Sequence, residues 1–135
     1  MVPSVNASST CAFVVGTNAY EDLPPLTNAV EDAQVVEKDL RQVGVERITS
    51  ALDCTYEQLT QKTNRYLSTL RKGDVALVYL AAHAAMYQSK HVFLTTNSNE
   101  KNIARTSLRV ELLLNRSILF CVLCACAMIT FSLCC

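Results

Sequence analysis

The sequence carries no excess of either charge: twelve basic residues balance twelve acidic ones over 135 positions. No basic cluster follows one face, and a phosphate backbone demands such a footprint, so nucleic acid is excluded as the main partner. Glycine is scarce, with three in the chain. Gly16-Thr17-Asn18 stands where a dinucleotide loop would begin, but there is no G-x-G-x-x-G and no G-K-[ST]. Nothing cradles a phosphate, and Gly16 reads as a turn glycine. No Lys or Arg precedes the apolar run in "MVPSVNASSTCAFVV", so the N-terminus does not read as a secretory signal. The default compartment is then cytoplasmic and reducing, and the sequons at Asn6 and Asn115 read as chance matches. There are no internal repeats, and no low-complexity segment before the cysteine-rich tail.

Cysteine is present but badly distributed for disulfides. Cys11 and Cys54 stand alone, while Cys121, Cys124, Cys126, Cys134 and Cys135 crowd the end. An odd count so clustered is not a disulfide framework. Cys121-x-x-Cys124 has zinc-ligand spacing, yet no second pair or histidine lies near it, so no metal and no cofactor is expected. Half the residues are hydrophobic and 18% are charged, as one packed domain requires.

The body alternates strand-like and helix-like segments. "CAFVVG" (11–16) is an unbroken apolar run, as in a strand buried on both faces. A loop with two prolines follows, and Asn28 with Glu31 resembles a capping box opening a helix. Ala29, Ala33, Val36, Leu40 and Val43 mark its apolar face, and Gly44 its stop. "VERITSALD" (45–53) is a more polar strand suited to the sheet edge. Thr55 and Gln58 form a second capping box, and Leu59, Thr63, Tyr66 and Leu70 share one face of the next helix. "DVALVYLAA" (74–82) is the most apolar strand of the body and belongs at the centre. "HVFLTT" (91–96) reads as a short strand, "TSLRVELLLN" (106–115) as a brief helix and "SILFCVLCAC" (117–126) as a last strand. Strand–helix–strand–helix–strand with short links implies a parallel sheet whose sites form at the carboxyl ends of the strands. His83 lies just past that end of the central strand; His91 and Cys54 read as surface or packing positions.

The tail supports a second reading. Residues 117–135 run nineteen positions without a charge, preceded by Lys101, Arg105, Arg109 and Arg116. As a helix it would be about 28 Å long, close to a hydrocarbon core of about 30 Å, with the body kept cytoplasmic. A tail-anchored membrane protein is therefore the alternative to a core strand, and the two exclude each other.

The strand running into Ala82-His83-Ala84 resembles the caspase-like peptidases, especially the metacaspase and paracaspase branches with their A-G-H-G-type turn. "FVVGTNAYEDLPPLTNAVEDAQVVEKDLRQVGV" is similar to the family's opening strand, N-x-Y loop, L-x-N-x-x-x-D-A helix start and L-x-x-x-G exit; "SALDCTYEQL" resembles its second strand and the turn after it. The likeness covers residues 11 to about 97. It implies an α/β, three-layer caspase-like fold with a mainly parallel central sheet, incomplete in its C-terminal half. The division is an N-terminal extension (1–10), a p20-type domain (11–126) and the apolar tail (117–135) overlapping the last strand.

By this resemblance the activity is cysteine-type endopeptidase hydrolysis through a Cys–His dyad, acting on a peptide or protein substrate. "VLCACA" falls on the nucleophile motif and places the thiol at Cys126, 43 residues after His83. Neighbouring parallel strands lie about 4.8 Å apart, so groups just past their ends can meet. The resemblance further implies Ala84 as an oxyanion-hole N–H and Asp32 as the acid that recognises a basic residue before the scissile bond. A homo- or hetero-oligomer fits the family's dimer edge. This chain departs at Ala82 and Ala84, where the family has glycines, at Cys124, where an acid is usual, and at Ala127. Those departures point to the alternative function, a catalytically inactive interaction module or membrane-attached decoy. A non-peptidase α/β fold with a structural His83 is a third reading.

Overall fold

The computed structural model describes residues 10–114 and 120–128. The strands are β1 (Thr10–Gly16), β2 (Arg47–Leu52), β3 (Val75–Tyr87), β4 (Lys90–Leu94), β5 (Ser107–Arg109) and β6 (Phe120–Met128). The helices are α1 (Ala29–Gln42), α2 (Tyr56–Thr69) and the single turns α3 (Ile103–Thr106) and α4 (Glu111–Leu114). One sheet runs β2-β1-β3-β4-β5, with β6 also paired to β3. The β1–β2, β1–β3 and β3–β6 pairings are parallel; β4 and β5 join antiparallel. The mainly parallel α/β architecture expected from the sequence is present, with β3 central and β2 at an edge.

Side-chain alternation divides the core into two layers. Phe13, Val78 and Leu80 pack with Leu59 and Tyr66 of α2 on one face, and Val14, Tyr79 and Ala81 with Ala29 and Ala33 of α1 on the other. The α2 face is the one read from the sequence, and its Thr55–Gln58 capping box is formed on both sides. At α1 the expected box is absent: Asn28 makes no side-chain cap. Asn18 replaces it from the preceding loop, its Oδ1 accepting from Val30 N at 3.1 Å and its Nδ2 donating to Glu31 Oε2 at 3.0 Å. Val43 was expected on the buried stripe but is 70% exposed, because the helix has already ended at Gln42.

Gly16 is not a turn residue. A Cβ there would lie 2.7 Å from the Ala29 carbonyl oxygen and 2.8 Å from Ala33 Cβ, so glycine lets α1 approach the strand end. Gly16→Ala is expected to destabilise the domain by about 1–3 kcal/mol through overpacking, read as a lowered urea midpoint. An unchanged midpoint would show that α1 can withdraw freely.

Two further expectations are corrected. Residues 106–115 are not one helix: Leu108 is buried opposite Phe93 in the β4–β5 pair, which converts the segment into a short strand between two single turns. And β3 does not end at 82; it continues to Tyr87 and returns as β4 through Gln88 and Ser89, both left-handed at φ 49° and 61°. In the tail, Phe120–Met128 is a strand rather than the helix a membrane span would need. Among the described residues no helix is long and apolar enough to cross a membrane; residues 129–135 of that reading lie outside them.

Candidate active site

β3 changes neighbours at His83. Residues 75–81 pair with β1 and residues 84–87 with β4, while β6 pairs with residues 76–84. Ala81 and Ala84 each have β6 on one side, so β1 and β4 occupy the same opposite edge in succession. Between them, at Ala82 and His83, that edge has no strand. Open α/β sheets place their sites at such a change of neighbour. His83 is therefore inside a strand rather than past its end, and the Ala82-His83-Ala84 stretch is extended rather than a turn. None of the three has positive φ, so alanine is unstrained there.

The β1–α1 loop fills the gap. Thr17 N donates to Ala81 O at 2.9 Å, continuing the ladder for one bond. His83 N donates to the Tyr20 hydroxyl at 2.9 Å, and the two rings lie 4.7 Å apart at 45°. The loop is itself anchored: Asn18 N and Ala19 N donate to Asp53 Oδ1 at 2.8 and 3.1 Å, and Glu21 N to Thr96 O at 2.9 Å. Asp53 holds this position with φ 47°, a left-handed conformation that Asp tolerates better than most residues.

His83 is 5% exposed, and its Nε2 lies 2.7 Å from the Pro24 carbonyl oxygen. A carbonyl can only accept, so Nε2 carries a proton, and in the neutral form of the ring the lone pair is on Nδ1. Nδ1 is buried and has no hydrogen-bond partner among the described residues. Leaving such an acceptor unmatched costs about 1–3 kcal/mol. The ring is thus held in one orientation, with no partner for Nδ1 among the described residues.

Tyr20 belongs to this support. Burial pushes its hydroxyl up to about 12. A folded value above the unfolded one of about 10 gives stability that is complete below pH 10 and is lost as pH rises through about 12. Tyr20→Phe strips the buried His83 N–H of its acceptor and is expected to destabilise by about 1–3 kcal/mol in urea unfolding at neutral pH. A neutral effect would show that water takes the hydroxyl's place.

The other sequence-derived positions fall as follows. Asp32 is exposed in the first turn of α1, beside Ala33 at the carboxyl end of β1. Among the described residues no hydrogen bond or ion pair joins its side chain to His83. Ala84 is 3% exposed and paired on both sides, to Phe93 and Met128. The β3–β6 register sets Cys126 against Ala82 and Ala127 against His83, so the Cys126 position shares its row with Ala82 and is one row from His83, and successive rows alternate between the two faces of the sheet. Cys54 is buried and its thiol is pushed up by that burial; Cys11 is buried against Thr69. Neither has the electropositive, partly open setting of a nucleophile. His91 is exposed on β4. Among the described residues no group of three His, Cys, Asp or Glu could hold a metal ion.

Sequence reasoning missed Tyr20 and Pro24 as site residues. Tyr20 lay within the N-x-Y loop, which was a usable signal; a backbone carbonyl such as that of Pro24 has none.

A model of the caspase domain family matches residues 9–118. The match takes in Asp32, His83 and Ala84 and stops before Cys126. No curated protein matches the chain.

Proposed function

The chain belongs to the caspase domain family, a family of cysteine peptidases, and from that membership we propose that residues 11–126 form a cysteine endopeptidase domain with His83 and Cys126 as its dyad. The observation that carries this reading is the imidazole: Nε2 is engaged by the Pro24 carbonyl, and Nδ1 is buried with no hydrogen-bond partner among the described residues. A general base needs an available lone pair in a fixed place. In this scheme Nδ1 takes the Cys126 thiol proton as sulfur bonds to the peptide carbonyl carbon. The same proton passes to the departing amine nitrogen as the C–N bond breaks. Water, deprotonated by His83, then adds to the thioester carbon; the C–S bond breaks, the carboxylic acid leaves, and His83 returns the proton to the Cys126 sulfur. The Asp32 carboxylate would face a basic side chain before the scissile bond, whereas the Ala84 N–H would serve the oxyanion only once Ala84 is released from its pairing with Phe93 or Met128.

The test is hydrolysis of Arg-, Lys- and Asp-terminated fluorogenic peptides by the purified chain and by Cys126→Ala. Cleavage that persists without Cys126 would sink the dyad. Asp32→Asn is expected to weaken kcat/KM for Arg peptides about ten- to a hundredfold, the value of a charge-assisted hydrogen bond, while sparing any cleavage after Asp. Equal losses on all three peptides would remove Asp32 from substrate recognition.

One observation favours a second reading, a non-catalytic interaction module. His83 stands in register with Ala127 and not with Cys126. A folded chain that hydrolyses none of the peptides would support that reading.

A further inference from the structure

β2 ends the sheet: among the described residues its strand neighbour is β1. A groove of about 860 Å³ runs along its free edge and is lined by every residue from Glu46 to Ser50. Consecutive strand residues project to opposite faces, so a cavity touching all five follows the edge rather than one face. Lys62 and Arg65 of α2 line the groove, as does Arg71. With Arg47 this sets four cations against Glu46 in a chain of zero net charge. Arg47 is held by Asp74 at 2.8 Å, but Lys62, Arg65 and Arg71 make no ion pair among the described residues. Lys62 Nζ instead donates to the Ser50 carbonyl at 2.8 Å.

We propose that this groove binds an extended acidic segment of a partner protein, which adds to β2 as a strand and sets its carboxylates on Lys62, Arg65 and Arg71. Charge selects the occupant. Residues 1–9 of the chain carry no acidic side chain and cannot supply the counter-charges. Lys62 guards the edge against neutral strands, a common protection of exposed edges, and a carboxylate draws it away from Ser50. Main-chain bonds then give affinity and alternate side chains give selectivity. The groove is separate from His83. At its nearer end Ser50 is in register with Val14 and Val14 with Tyr79, four residues before His83 along β3 and two strands away. That is about 13 Å along the strand at about 3.3 Å per residue. Binding here does not depend on whether the chain hydrolyses peptides.

Fluorescence anisotropy of a labelled peptide alternating Glu and Val, titrated with the full chain, tests this directly. Saturable binding is expected, weakening with added salt and falling about tenfold in Arg65→Glu. The milder Arg65→Gln, at an exposed helix position, should lose a few-fold with an unchanged melting curve. The control Lys38→Glu, on the other helix, should bind like the parent. Equal binding of the Gln-for-Glu peptide, no loss in either Arg65 variant, or an equal loss in Lys38→Glu would overturn the acidic groove. Equal binding of a backbone N-methylated peptide would overturn strand addition.

Discussion

A His83→Ala chain is expected to lose peptide hydrolysis by about a hundred- to ten-thousandfold, the range that positioned general acid–base groups supply. The loss should fall on kcat rather than KM, because the proposed role of the imidazole is to move protons and not to bind a substrate side chain. Alanine also empties a buried ring site beside Tyr20 and strips the Pro24 carbonyl of its donor, so part of any loss could come from a loosened loop. His83→Asn separates the two. Its amide can donate to Pro24 O while offering no base, so it should retain the parent's unfolding midpoint and be as inactive as the alanine variant. Activity in His83→Asn within tenfold of the parent would remove His83 from the chemistry.

The second large effect concerns the core. Tyr66→Ala is expected to destabilise the domain by about 3–5 kcal/mol, against a total of about 5–15 kcal/mol for most domains. Tyr66 is fully buried, and its ring stacks on Phe13 at 5.1 Å and 16°, tying α2 to β1. Its hydroxyl has no hydrogen-bond partner among the described residues, and burial raises its pKa. An unmatched buried hydroxyl is unfavourable, so Tyr66→Phe should be neutral or stabilising. Urea unfolding of the two variants measures both signs. A Tyr66→Phe chain as damaged as Tyr66→Ala would mean that the hydroxyl has a partner in solution.

Much of the frame was legible because burial leaves periodic traces. The run at 11–16 is apolar at every position since β1 has neighbours on both edges and helices on both faces. Tyr66 and Leu59 share a helical face for the same reason. The end of β3 left no such trace. The strand changes from a parallel to an antiparallel neighbour without changing its own composition, and the hairpin turn at Gln88-Ser89 contains no glycine to mark it. Residues 106–115 misled as a helix because a short apolar run fits a strand or a helix equally well until Phe93 claims Leu108.

Around the site, His83 itself was conspicuous as a histidine in an apolar strand. What holds it was hidden. Pro24 acts through a main-chain oxygen that every residue has, and Asn18 caps α1 from ten residues before the cap position at Asn28. Asp53 reaches the loop across a strand boundary, at sequence separations of 35 and 34 from Asn18 and Ala19. These contacts are properties of the folded chain, and local sequence patterns do not record them.

Activation of the Cys126 thiol by His83, as proposed, is open to chemical trapping. The full chain is incubated with an Arg-terminated peptidyl ketone electrophile and the adduct is mapped by peptide mass spectrometry. One adduct is expected, on Cys126, and it is lost in His83→Asn. An adduct spread over the other cysteines irrespective of His83, or none at all on a folded chain, would contradict it.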